Sequence, residues 1–334
     1  MTPSGWRRCS RNWPNGRNER LTAETQRTES NELGKTSSRD VSVDLTSLAT
    51  ERPNPRSAGL DRLPLGKLLR VINREDAMVS RAVSRALPQI EKTVLAVSER
   101  LAKGGRLFYI GAGTSGRLGC LDASEMPPTY GVPRTLVQGI MAGGFSALTR
   151  SKEGAEDDGP AGVTDIARRK ISAGDAVIGL SVSGRARYVQ QALLEARRRG
   201  AFTACITCNE NSPLVGQAVQ PAKCKQARQP APRYAEIAIV ALTGPEVVTG
   251  STRMKAGTAQ KMILNMISTA TMVRLGRVKG NRMVDLQIKC DKLRERARNL
   301  IMEETGADAA VALKALEKSG GSVRKAVAAI VDSR

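Results

Sequence analysis

An apolar run, Leu107 to Ile110, stops abruptly at three glycines, Gly111, Gly113 and Gly116, within RLFYIGAGTSGRLG. An apolar run that meets glycines and then a polar, helix-compatible stretch reads as a strand turning tightly into a helix. The same alternation recurs downstream. Strands are predicted at 106–110, 135–141, 175–181, 202–207 and 235–240. Helices are predicted at 116–122, 144–151, 158–171, 185–199, 254–274 and 281–302. Strands alternating with helices give an α/β fold with a doubly wound, mostly parallel sheet flanked by helices. The helix at 254–274 has the clearest period: Ala259, Met262, Ile263, Met266, Ile267, Ala270 and Val273 repeat at steps of three and four.

Upstream, LGKLLRVINRED opens a helical pattern after Pro64. A second pattern runs from about 76 to 103, with Pro88 as a break or restart. Residues 1–46 are polar and charged and read as a disordered basic extension. The stretch 216–233, with three prolines and four basic residues, reads as an exposed loop. The tail, 303–334, holds two short helical patterns joined at KSGGS and reads as a small C-terminal helical appendix.

Composition narrows the chemistry. There is no histidine, which removes Ser-His-Asp and Cys-His catalysis and histidine-ligated metal. Acid–base work near neutral pH then falls to carboxylates, Lys, Tyr or Cys. Cys205 and Cys208 form a C-x-x-C, but AFTACITC reads as a buried strand, where residues three apart point to opposite faces. No metal site is expected. The net charge of +21 would attract anions. Aromatic residues make up only 3%, so base-stacking platforms are scarce and nucleic acid is not favoured as a partner. No apolar run is long enough to cross a membrane and no apolar signal core follows the basic start, so the expected location is cytoplasmic.

G-x-G-x-x-G suggests a dinucleotide, but that reading needs an acidic residue about twenty positions on, and TYGVPRTLVQGIMAGG has none. The Lys-Ser/Thr ending of a nucleotide P-loop is also absent. What remains is a turn bearing two hydroxyls, Thr114 and Ser115, at a helix start, where free N–H groups suit a phosphate. One such loop could equally be an ordinary strand-to-helix turn. A second, VIGLSVSGRARYV, repeats the arrangement with Ser181, Ser183 and Gly184. Two such turns can converge on one anion at the carboxyl edge of a parallel sheet.

GAGTSGRLG followed by LDASEMPPTYG resembles the sugar isomerase (SIS) phosphosugar-binding fold. Within it, the chain resembles the N-acetylmuramic acid 6-phosphate etherases. The blocks ERPNPRSAGLDRLP, VINRED, EGAEDD, GPEVVTGSTRMKAGTAQKMILNMIST and NRMVDLQ follow the family order from about 47 to 300. The tail is similar to the family's ubiquitin-associated-like helical segment, cut short. In three places the chain departs from the pattern. The second loop has Ala186 and Arg187 where the family has Thr-Pro, 216–233 is long, and 1–46 has no counterpart.

A charge cluster in a loop is ordinarily a solvated one. The resemblance, however, places the family's two acid–base glutamates on Glu125 and Glu156. It implies cleavage of a lactyl ether by elimination and water addition, with no metal or cofactor, on a small-molecule phosphosugar, in a homodimer. Glu125 would protonate the departing lactate and later activate water; Glu156 would be the base at carbon 2. Thr114, Ser115, Ser181 and Ser183, with Gly113 and Gly184, would hold the phosphate. Arg253 and Lys255 would meet phosphate or carboxylate, or else form a solvated helix start. Glu246 would touch sugar hydroxyls, or only cap local structure. A non-catalytic phosphosugar-binding regulator resembling glucokinase regulatory protein, and a phosphosugar isomerase, are the alternatives.

Overall fold

The computed structural model describes residues 48–215, 234–283 and 291–333, all of which belong to one compact unit, Val43–Arg334. The expectations for 1–46 and 216–233 lie outside the described residues.

Five buried segments form one parallel sheet: β1 (Leu107–Gly111), β2 (Val137–Met141), β3 (Ala176–Leu180), β4 (Phe202–Thr207) and β5 (Ile237–Val240). Their order is β2-β1-β3-β4-β5. Alternate side chains enter two separate cores, as the pleat requires. Leu107, Tyr109, Ile178, Leu180 and Ile206 face one; Phe108, Ile110, Val177 and Cys205 face the other. Cys205 and Cys208 accordingly lie in different cores, and burial pushes both thiols up to about 12.

The first core is closed by α3 (Leu87–Ala102), α4 (Gly113–Tyr130) and α7 (Lys255–Arg274), with α1 (Leu65–Asp76) and α2 (Val79–Ser84) alongside α7. The second is closed by α5 (Gly159–Arg168) and α6 (Arg187–Arg198). Pro88 stands at the second position of α3, where its missing N–H costs nothing.

Three sequence expectations are corrected. The helix after the first loop extends to Tyr130, so Glu125 lies inside α4 rather than beyond it. Pro127 and Pro128 remove amide donors only in the last turn, and the helix ends at Gly131, in the left-handed region at φ +65°, whose N–H donates to the Pro127 carbonyl. The segment 144–151 forms a short 3₁₀ turn, Phe145–Leu148, rather than an α-helix. The segment 281–302 is not one helix: β7 (Arg282–Met283), paired antiparallel with β6 (Val278–Lys279), precedes α8 (Asp291–Thr305). That helix packs with α9 (Ala309–Lys318) and α10 (Val323–Val331) around Ala297, Leu300, Ile301, Leu316, Val323 and Ile330. Among the described residues no helix is long and apolar enough to cross a membrane.

Candidate phosphosugar site

The chain leaves β1 for β2 on one side and returns as β3 on the other, so the strand order reverses between β1 and β3. Ligands of open α/β sheets sit in the crevice at such a switch point. Gly111 ends β1 opposite Leu180, the last residue of β3. The two hydroxyl-bearing loops therefore emerge from neighbouring strands.

The first loop is fixed by backbone contact. A Cβ on Gly111 would lie 2.8 Å from the Gly116 nitrogen, and one on Gly116 would lie 2.5 Å from the Gly111 carbonyl oxygen. Gly113, at φ +53°, makes the intervening turn. Thr114 packs its methyl toward Gly257 at the start of α7. Ser115 is buried and turns inward; its Oγ donates to Gln260 Oε1 at 2.8 Å.

In the second loop the Gly184 N–H donates to Ser181 Oγ at 3.0 Å, and the Arg185 N–H donates to Ser183 Oγ at 3.2 Å. A hydroxyl that accepts in this way keeps its own proton to donate elsewhere. Gly184 adopts φ +75°, and a Cβ there would fall 1.7 Å from Ser212 Oγ. Ala186, one of the family departures, is buried just before α6 and exposes no hydroxyl.

Glu156 stands beside the first loop. It shares a cleft of about 290 Å³ with Ala112, Gly113, Met141 and Arg117. Its carbonyl accepts from the Tyr188 N–H at 2.9 Å, which ties the acidic loop to the start of α6. Arg117 shapes the far wall by donating to the Leu148 and Ala147 carbonyls at 3.0 and 2.9 Å. Glu125 is elsewhere. It is exposed on α4, twelve positions beyond Gly113, which is about 18 Å along the helix axis at 1.5 Å per residue. One chain does not bring its Glu125 to its own loops.

The remaining candidates are placed differently. Glu246 is fully buried and caps α7, accepting the Lys255 N–H at 3.0 Å and the Ala256 N–H at 2.9 Å. Burial pushes its carboxyl above the ordinary range, against those two amides. Both of its carboxylate oxygens are used by the cap. Lys255 is fully buried, so neither a solvated helix start nor a phosphate contact describes it; its Nζ donates to Glu75 Oε2 at 2.7 Å. The same carboxylate accepts from Asn54 Nδ2 at 2.8 Å and Arg56 Nη2 at 3.0 Å. The Arg56 guanidinium, with Lys255 and Asn54, holds Glu75 at about 2. This cluster fastens residues 54–57 beside 245–247, helped by the Ser57 hydroxyl donating to the Val247 carbonyl at 2.7 Å. Arg253 is exposed. Among the described residues no group of three or more His, Cys, Asp or Glu is arranged to hold a metal.

Sequence reasoning missed Gln260, Arg117 and Glu75. Gln260 had a signal: a polar residue next to Ala259 inside the apolar stripe of α7. Partners 145 and 180 positions away along the chain gave Ser115 and Lys255 no local signal.

Two hydroxyl-bearing loops at the switch point of a five-stranded parallel sheet, with Glu156 beside the first, have the architecture of the SIS fold. The family model for the glucokinase regulatory protein N-terminal SIS domain matches residues 89–196. A phosphoheptose isomerase structure from Francisella tularensis is 15% identical and covers 61% of this chain and 98% of that one, with a TM-score of 0.44. Two curated relatives are much nearer. The N-acetylmuramic acid 6-phosphate etherase of Symbiobacterium thermophilum is 48% identical over 86% of this chain and 90% of its own length. That of Aeromonas hydrophila subsp. hydrophila is 46% identical over 87% and 92%. The chain belongs to the N-acetylmuramic acid 6-phosphate etherase family.

Proposed function

We propose that this enzyme is a carbon–oxygen lyase that cleaves the D-lactyl ether of N-acetylmuramic acid 6-phosphate, giving N-acetylglucosamine 6-phosphate and D-lactate. The observation that carries the reading is the 48% identity to an etherase across 86% of the chain. The placement of Glu156 in the cleft beside Gly113 supports it.

In the open-chain sugar, the aldehyde acidifies the proton on carbon 2. Glu156 takes that proton, the electron pair forms the carbon 2–carbon 3 double bond, and the ether bond at carbon 3 breaks. Glu125 gives its proton to the departing lactate oxygen. Deprotonated, it then takes a proton from water as that water adds at carbon 3, and carbon 2 regains its proton from Glu156. Protons balance over the cycle, and each group contributes on the order of 10²–10⁴-fold. Thr114, Ser115, Ser181 and Ser183, with Gly113 and Gly184 making the two turns, hold the phosphate and so orient the reacting carbons.

The separation of Glu125 from the loops makes the homodimer part of this proposal. A hexose phosphate gripped at the start of α4 is too short to reach Glu125 on the same helix. A second copy laid across the cleft would bring its own Glu125 to carbon 3. The enzyme as proposed works in the cytoplasm and takes no metal or cofactor.

Purified enzyme with N-acetylmuramic acid 6-phosphate should release D-lactate in step with N-acetylglucosamine 6-phosphate. Tight binding without lactate would favour the regulator, and a ketose product the isomerase; either result removes the etherase reading.

A further inference from the structure

Of the four hydroxyls proposed to meet the phosphate, Ser115 is, among the described residues, the one whose proton is already given to another side chain. Its Oγ donates to Gln260 Oε1 at 2.8 Å, inside the contact between α4 and α7. A phosphate dianion offers only acceptor oxygens, so a hydroxyl donating to Gln260 has nothing to give it. Gln260 is fully buried, and its Nε2 has no hydrogen-bond partner among the described residues. The nitrogen end of the amide therefore makes no bond that would hold it in this orientation.

A half-turn about the Cγ–Cδ bond of Gln260 exchanges the two ends of the amide without moving either helix. Nε2 then donates to Ser115 Oγ along the same short path, and the Ser115 proton is released toward the loop. The serine bond is kept with its direction reversed; Nε2 gains an acceptor while Oε1 takes over the unpartnered position, a cost that the new bond from Ser115 to the phosphate offsets.

We propose that Gln260 is a positioning residue that sets the direction of the Ser115 hydroxyl: its amide reverses when a phosphosugar binds, so that Ser115 donates to the phosphate. This rests on the assignment of Ser115 to the phosphate above. Gln260 itself touches no reacting atom; its effect belongs in affinity.

The test is a mutant cycle read as the Kd for N-acetylglucosamine 6-phosphate by calorimetry, independent of turnover, with the thermal midpoint of each unliganded variant recorded to show that it is folded. Gln260→Glu, read at a pH where its carboxylate is ionised, offers only acceptors and keeps the Ser115 proton inward. It should weaken binding about 10- to 100-fold, the range of a lost hydrogen bond to a charged group. Gln260→Met has no acceptor to hold the proton and should weaken binding less than Gln260→Glu does. Ser115→Ala should weaken binding, and adding Gln260→Glu to it should weaken it little further, because the effect runs through the serine. Fully additive losses, or a methionine variant as weak as the glutamate variant, would overturn the proposal. If Ser115→Ala leaves Kd unchanged, the phosphate assignment of Ser115 fails and the inference falls with it. If Ser115→Ala weakens binding but Gln260→Glu does not, only the inference fails.

Discussion

A mixing experiment tests whether the two glutamates meet across a pair of chains. Glu125→Gln and Glu156→Gln should each cut D-lactate release about 10²- to 10⁴-fold, equivalent to about 2.7–5.4 kcal/mol of transition-state stabilisation. Glu125 sits about 18 Å along α4 from Gly113, whereas Glu156 lines the cleft with Gly113 itself. Each complete site would then draw Glu125 from one chain and Glu156 from the other. If the two inactive variants are mixed and allowed to exchange subunits, about half the dimers become mixed. Each mixed dimer carries one site with both glutamates and one with neither, so the mixture should recover about a quarter of wild-type activity. The readout is D-lactate formation coupled to D-lactate dehydrogenase, with exchange verified by the mass of differently tagged chains. Were both glutamates supplied by one chain, every site in a mixed dimer would keep one defect. Activity that stays at the level of the separate variants after proven exchange would therefore refute the two-chain site.

Two further outcomes follow from the geometry. Gly184→Ala places a Cβ 1.7 Å from Ser212 Oγ at φ +75°; it should destabilise the fold by about 1–3 kcal/mol and raise KM for the phosphosugar. Differential scanning and initial rates measure both, and an unchanged thermal midpoint would contradict the packing argument. Glu75, held at about 2 against an ordinary 4.5, contributes about 3 kcal/mol at neutral pH. Because its carboxyl is depressed in the folded state, that contribution is complete above pH 4.5 and is lost as pH falls toward 2. The stability gap between wild type and Glu75→Gln, measured by urea unfolding, should shrink across that window; a gap that stays constant would show that the ion cluster is not its source.

The five strands were legible because buried parallel strands are short apolar runs bounded by glycine, as at Leu107–Gly111 and Ala176–Leu180. Helix α4 runs eight residues past the predicted 116–122, to Tyr130, and Pro127 and Pro128 are accommodated because both fall in its last turn. Of the candidate site, the two loops were legible, since each follows a strand and precedes a helix in sequence, whereas Glu156 was singled out only by the family resemblance. Lys255 was not. Its charge is buried by Glu75 from α1, and no local pattern announces a partner that only the tertiary fold supplies.

Where β1 hands over to α4, main chain rests on main chain, with no side chain between Gly111 and Gly116. The position of the anion loop is thus inherited from the sheet itself. Neighbouring side chains can be exchanged while the frame that aims the hydroxyls stays put. Affinity in such a scaffold can drift by single side chains while its geometry holds still.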